Sequence, residues 1–282
     1  MKILITGAAG LVGMAAARYC VSIGDEVIAA PREDLDIASR ESVFAFLQRE
    51  KPDSVINCAA MTNVDGCETD DETNWGSNAY GVENLALGCR KIGANLVTIS
   101  TDYVFDGAHS GFYTQRDDPN PLSRYGKAKL AGERLAQAAL ARTIIVRSGW
   151  IFGVGGRNFL SQGVELLLAG KSLTAISDAH GTPTYAPDLA RRLRELSESD
   201  LPGIYHVVNS GEGATYAGFL RAVPDVDAEK VADISSASLK RPAARPANSK
   251  LRCLISGKLG FEPLPDWKTA LSDYAENKKR GF

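Results

Sequence analysis

Two hydrophobic periods alternate along the first half of the chain. Residues 2–6, Lys-Ile-Leu-Ile-Thr, make a short apolar run of strand length, and residues 14–20, Met-Ala-Ala-Ala-Arg-Tyr-Cys, continue as helix. The pattern predicts a second strand over 26–30 and a helix capped by Ser39 that runs to about residue 50. A strand over 54–58 then enters the small-residue turn Ala59-Ala60, and a long helix covers 73–92. Residues 95–99 form a strand that delivers Ser100 and Thr101 to its carboxyl end, 125–140 are helical, and 143–147 are strand. Strands alternating with helices in this way predict an α/β protein with a doubly wound parallel sheet. Residues 151–282 carry more proline and loop signals, among them Gly181-Thr182-Pro183, Arg241-Pro242 and Arg245-Pro246. The expected division is therefore a sheet domain over 1–150 and a smaller lobe over 151–282, with the chain crossing back to the sheet.

The first strand runs straight into Gly7-Ala8-Ala9-Gly10-Leu11-Val12-Gly13 and then into helix. Glycines at 7, 10 and 13 permit a tight turn, close approach of the backbone to a pyrophosphate, and close packing of helix on strand. The free N–H groups and positive dipole end of the helix then face the phosphates. Glycine also ends strands for purely structural reasons, but the order strand, turn, helix points to a nucleotide-binding Rossmann-type domain. The bulk properties agree. The chain has 282 residues, 44% hydrophobic and 23% charged, with a net charge of −2. That composition describes an ordered globular protein and gives no support for a nucleic-acid or anionic-membrane surface. Five scattered cysteines (Cys20, Cys58, Cys67, Cys89, Cys253) lack close pairing or histidines at ligand spacing, so reduced thiols are expected rather than disulfides or zinc. A core strand at the N-terminus and the lack of a membrane-length apolar run predict a soluble, cytoplasmic protein.

Candidate chemistry lies in Tyr125-Gly126-Lys127-Ala128-Lys129, preceded by Ser100-Thr101-Asp102-Tyr103. A phenol and an ammonium four positions apart share one helix face. The ammonium would draw the phenol's pKa down from about 10 toward the working range. The Thr101 hydroxyl could hydrogen-bond the reacting oxygen. A surface tyrosine beside a solvated lysine fits the bare pattern too, so the cofactor turn is what gives it weight.

These motifs extend over nearly the whole chain. With Asp34-Leu35-Asp36-Ile37, Thr62-Asn63-Val64-Asp65-Gly66-Cys67-Glu68, Arg147-Ser148-Gly149-Trp150, Gly181-Thr182-Pro183-Thr184 and the tail Arg245-Pro246-Ala247-Asn248-Ser249, the sequence resembles the dTDP-4-dehydrorhamnose reductases. These are extended short-chain dehydrogenases/reductases. The resemblance implies Thr101, Tyr125 and Lys129 as catalytic residues: Tyr125 protonates the C4 oxygen of a 4-keto sugar while a nicotinamide delivers hydride to C4. Lys129 would also hold the ribose. It implies cofactor contacts from Gly7, Gly10, Leu11, Val12, Gly13, Asp36, Ile37, Ala59, Ala60 and Met61, and substrate contacts from Asp102, Trp150 and Arg245. Each has a plainer alternative: Trp150 as core, Asp102 as a turn or cap residue, Asp36 as the start of a helix. Arg32, just after the second strand, suits a 2′-phosphate and so favours NADPH over NADH, though it also fits a solvated loop.

The sequence departs from the family pattern at Ala179, where a glutamine commonly follows the aspartate, and this bears on which sugar is bound. Carboxylates near the end (Glu262, Asp266, Asp273, Glu276) are expected to be solvated, with no metal assigned. One exposed apolar helix face would suffice for a homodimer. The expected activity is reduction of dTDP-4-dehydro-L-rhamnose to dTDP-L-rhamnose. The alternatives are a reductase of another nucleotide sugar and a non-catalytic nucleotide-binding subunit, since the regulatory subunit of methionine adenosyltransferase also resembles this family.

Overall fold

Apolar runs that are buried on both sides build the centre of the molecule. In the computed structural model, which describes residues 1–280, Ile3 and Ile5 of β1 (Lys2–Thr6) face one layer of helices and Leu4 faces the other. The same split recurs at Val55 and Ile56 in β3 (Ser54–Asn57) and at Leu96 and Val97 in β4 (Asn95–Thr101). Burial on both faces is what a parallel sheet between helical layers requires. With β2 (Glu26–Ala30), β5 (Thr143–Ser148) and β6 (Gly203–His206), these strands form one six-stranded parallel sheet in the order β2-β1-β3-β4-β5-β6.

One layer contains α1 (Leu11–Ser22) and α6 (Ala186–Ser199), through Ala16, Cys20, Leu189, Leu193 and Leu196. The other contains α2 (Arg40–Glu50), the helical run α3 (residues 71–92) and α4 (Arg124–Ala139). Ser39 caps α2 by accepting from the Ser42 N–H, as expected. α3 differs from the expected uninterrupted helix. It comprises Asp71–Trp75 and Gly81–Ile92, joined by one π turn at Gly76–Tyr80. π turns are uncommon and tend to accompany functional sites.

A second hydrophobic core lies beyond the sheet, built on α5 (Phe159–Leu168), α7 (Tyr216–Arg221) and α8 (Trp267–Lys279) around Phe152, Phe219 and Tyr274. The chain does not stay there after residue 150, because α6 and β6 return to the sheet between α5 and α7. The sheet order reverses between β1 and β3, and a crevice opens beyond their carboxyl ends, the usual ligand site of such sheets.

Two glycines close that edge. Gly7 has φ of +62°, and a Cβ there would lie 2.7 Å from the Ala59 nitrogen. A Cβ at Gly13 would lie 2.3 Å from the Gly7 carbonyl oxygen, so α1 packs directly on the turn. Gly13→Ala is expected to cost about 1–3 kcal/mol through overpacking, measured by urea denaturation. Gly257→Ala, where a Cβ meets nothing within 4 Å, should stay within about 0.5 kcal/mol of the parent.

Candidate active site

A cleft of about 810 Å³ lies along the carboxyl ends of β1, β3, β4 and β5. At one end the glycine turn presents Gly7, Gly10, Leu11, Val12 and Gly13. Gly10 accepts from the Met14 N–H at 2.9 Å and begins α1, but has no side chain with which to cap it. The first N–H groups of α1 therefore remain available to an anion in the cleft. Residues 59–61 form the adjoining wall and are held from both sides. Asn57 accepts from the Thr6 hydroxyl at 2.6 Å and from the Ala59 N–H at 3.1 Å, and donates to the Thr98 hydroxyl at 2.9 Å. Asn78, within the π turn, donates to the Met61 carbonyl at 3.0 Å and accepts from its N–H at 3.2 Å. Asp36 and Ile37 line the same end, with Asp36 also accepting from the Ala38 N–H at 3.0 Å. Arg32 is exposed at the cleft margin.

The proposed chemical groups meet at the floor. β4 continues two residues further than expected, so Thr101 pairs with Ser148 within the sheet. Ser123 caps α4 through the Gly126 N–H, which fixes Tyr125 in its first turn and Lys129 one turn later. Gly126 is required for this approach, because a Cβ there would come within 2.3 Å of the Tyr103 carbonyl oxygen. Thr101 donates to Asp102 Oδ1 at 3.1 Å and accepts from the Tyr103 N–H at 3.1 Å. Thr101 and Tyr125 both line the floor of the cleft.

The electrostatics differ from the sequence expectation. Burial pushes the Tyr125 phenol well above its ordinary value, and the Thr101 hydroxyl offsets only part of this. Lys129 does not draw it down; its ammonium donates to the Ile99 carbonyl at 2.7 Å. Burial lowers the Lys129 pKa to about 8, opposed chiefly by the nearby Glu133 carboxylate. Glu133 is itself buried, accepting from the Ser100 hydroxyl at 2.5 Å and from Arg147 Nε at 3.0 Å and Nη2 at 2.7 Å. Burial also pushes the Asp102 carboxyl up to about 6, against the Ser249 and Thr101 hydroxyls, which pull it down. Among the described residues its Oδ2 has no hydrogen-bond partner.

Trp150 lines the cleft on the far side, stacked on Tyr216 with ring centroids 3.9 Å apart. Beyond this wall is a second cavity of about 210 Å³, which contains Arg245, Arg241 and Ala179. Arg245 is the one predicted contact residue outside the main cleft. It forks onto Asp65 at 2.9 and 2.8 Å and ties the tail to the sheet edge. Sequence reasoning missed Asn78, Tyr103, Glu133 and Tyr216. Tyr103 sits within a motif already singled out, and Glu133 is one helical turn beyond Lys129, so both carried a local signal. Tyr216 carried none, because only the fold brings it against Trp150.

Comparison with known proteins decides the family. A model described as the RmlD substrate binding domain matches residues 1–280. The chain belongs to this family. Members it resembles include the spore coat polysaccharide biosynthesis protein SpsK of Bacillus subtilis (strain 168), 36% identical over 98% of each chain. The dTDP-4-dehydrorhamnose reductase of Streptomyces griseus is 36% identical over 96% of this chain and 91% of that one. The crystal structure of dTDP-4-dehydrorhamnose reductase from Bacillus anthracis str. Ames in complex with NADP superposes with a TM-score of 0.91 at 31% identity, covering 97% and 99% of the two chains.

Two substitutions test the buried charges. Glu133→Gln leaves the Arg147 guanidinium without a counter-charge and is expected to cost about 3–5 kcal/mol in urea unfolding. Asp102 holds its proton to about pH 6 in the fold but only to about pH 3.8 when unfolded. Between those values the folded state binds more protons, so the contribution of Asp102 to stability falls as pH rises. Measured against wild type, Asp102→Asn should therefore gain on the order of 2 kcal/mol between pH 4 and pH 7.

Proposed function

We propose that this protein reduces the C4 keto group of a nucleotide-linked 6-deoxysugar with NAD(P)H, and that dTDP-4-dehydro-L-rhamnose is the substrate. One observation carries the reading: a buried threonine, a buried tyrosine and a buried lysine one helical turn on line the same cleft as the glycine turn. The uncapped first turn of α1 suits a pyrophosphate, and the exposed Arg32 suits a 2′-phosphate, which favours NADPH. The NADP complex of the relative from Bacillus anthracis supports this choice.

NADPH, when bound, supplies a hydride to C4. As the carbonyl electron pair moves onto O4, Tyr125 gives that oxygen its proton. A phenol whose pKa is raised by burial keeps this proton at neutral pH until the developing alkoxide draws it away. Thr101 turns its single hydroxyl proton from Asp102 to the same oxygen. The phenolate left on Tyr125 is then stabilised by the positive charge of Lys129. Arg245 and Trp150 bind the nucleotide-sugar, and Asp102 holds Thr101 through the bond between their side chains until that oxygen arrives.

A second reading keeps the chemistry and changes the sugar. The likeness to SpsK, named for spore coat polysaccharide biosynthesis, and the small Ala179 side chain in the second cavity support it. Both are tested by following NADPH oxidation with dTDP-4-keto sugars generated in situ. Tyr125→Phe is expected to lower kcat by at least about 100-fold while nucleotide binding persists. No turnover by wild type, with Tyr125→Phe indistinguishable from it, would indicate the non-catalytic alternative. Lys129 keeps its ammonium below about pH 8 in the free protein, so NADPH affinity measured by fluorescence titration should weaken as pH rises through that value.

A further inference from the structure

Two asparagines are fully buried on α3, where its regular helix gives way to the π turn. Asn74 and Asn78 are both 0% exposed and stand one helical turn apart. A primary amide taken out of water is costly unless its polar atoms are paired, so an apolar side chain would otherwise suit either position better. Both amides are paired, and their partners form one line. Asn78 donates from Nδ2 to the Met61 carbonyl at 3.0 Å and to Asn74 Oδ1 at 2.9 Å, while its Oδ1 accepts from the Met61 N–H at 3.2 Å. Asn74 Nδ2 donates in turn to the Arg124 carbonyl at 3.2 Å, with a longer contact to Asp71 Oδ1 at 3.4 Å. The line begins on the backbone of the cleft wall at 59–61 and ends on the backbone of α4, one residue before Tyr125.

That end point bears on the chemistry. The Arg124 carbonyl belongs to the planar peptide unit joining Arg124 to Tyr125, so a bond to it fixes the plane from which the Tyr125 side chain departs. On its outer side Arg124 is held by Glu68, which accepts from its N–H at 2.8 Å, and by Asp71, 3.0 Å from its guanidinium. The guanidinium is half-exposed and its ion pair is weakened by water, whereas the amide line is dry. α4 also packs on α3 without clearance, since a Cβ at Gly132 would lie 2.3 Å from the Asn78 carbonyl oxygen. The donor order of the line cannot reverse, because the Met61 and Arg124 carbonyls only accept. Delivering hydride to the carbon and a proton to the oxygen of one carbonyl requires the two donors at a set separation.

We infer that Asn74 is a positioning residue for the reduction: through Asn78 it holds the cofactor wall at Met61 in register with the start of α4, and so fixes Tyr125 relative to the nicotinamide. This rests on the reductase reading for the roles of the cofactor and of Tyr125. Among the described residues that line the cleft neither asparagine appears, so each acts only through the backbone it holds.

The test combines NADPH oxidation with dTDP-4-keto sugars, calorimetric NADPH binding and backbone hydrogen exchange. Asn74→Ala is expected to lower kcat about tenfold or more, with KM for NADPH and for the keto sugar within about twofold of wild type. The calorimetric stoichiometry of NADPH should stay as in wild type, which separates misplacement from loss of folded protein. Asn78→Ala, which also frees Met61, should weaken NADPH binding as well, and the double variant should lose no more kcat than Asn78→Ala alone. Asn74→Asp keeps the shape and the acceptor for Asn78, but has a hydrogen for the Arg124 carbonyl only while protonated. Burial beside Asp71 raises the pKa of that carboxyl, so its kcat relative to wild type should recover as pH falls from about 8 to about 6. A kcat for Asn74→Ala within about twofold of wild type would overturn the assignment. So would a flat pH ratio for Asn74→Asp, which decides alone if Asn74→Ala does not fold. If wild type reduces no keto sugar, the reductase reading fails by itself and hydrogen exchange decides. Saturating NADPH should then slow exchange at residues 124–128 in wild type and not in Asn74→Ala. Equal slowing in both, or none in wild type, removes the role of Asn74.

Discussion

An ammonium buried at Lys129 sets the layout of the whole carboxyl edge of the sheet. An unpaired buried lysine sheds its proton, and burial already brings this one to about 8. The Ile99 carbonyl supplies one acceptor, and Glu133 supplies the opposing charge from the next turn of α4. That carboxylate is itself nearly free of water, so it needs the Arg147 fork from β5 and the Ser100 hydroxyl from β4. Arg147 then lies over the Phe105 ring at 5.3 Å. Burial, aided by its charge, lowers the His206 pKa on β6 to about 4. One useful charge on a helix is thus tied to two adjacent strands, and removal of Glu133 leaves the buried Arg147 and Lys129 without their opposing charge.

The same burial changes what the lysine can do for the tyrosine. In the sequence, four-residue spacing suggests an ammonium that acidifies a phenol. In the fold, Tyr125 loses more from desolvation than Thr101 returns, and the phenol holds its proton. For a group that must deliver a proton to a carbonyl oxygen this is the favourable direction. The ammonium matters after transfer, when a phenolate in a dry site would otherwise be very costly. Spacing alone cannot separate these two uses of one lysine, because solvent exclusion by the surrounding elements decides between them.

Legibility followed locality. The glycine turn, the end of β4 and the Tyr125–Lys129 face each lie within a few residues of chain, where turn geometry and helical period act directly. The π turn at Gly76–Tyr80 was invisible because it follows from close packing: a Cβ at Gly132 of α4 would lie 2.3 Å from the Asn78 carbonyl oxygen. The return of α6 and β6 to the sheet depends on Leu189, Leu193 and Leu196 finding the face lined by Ile3 and Ile5. A periodic apolar stripe states that a helix is buried without stating against what. Tyr216 illustrates the same limit, since it meets Trp150, far away in the chain, only through the fold.

Trp150 explains why the site can join two cores without loosening. β5 ends at Ser148, and Ile151 already pairs with Thr184 of the second core, so Trp150 lies at the joint between them. A left-handed residue at such a joint would relax if its neighbours allowed it, and here Gly181, Thr184 and Tyr216 each oppose relaxation. Bistable or strained elements persist only where the surroundings over-determine them. The sheet edge therefore holds the reacting groups with buried charge, and the joint holds the opposite wall with stacked rings and a backbone clamp. Changes in the second cavity, such as the small side chain at Ala179, can alter which ligand fits without disturbing Tyr125, because the partition between them is fixed independently from both sides.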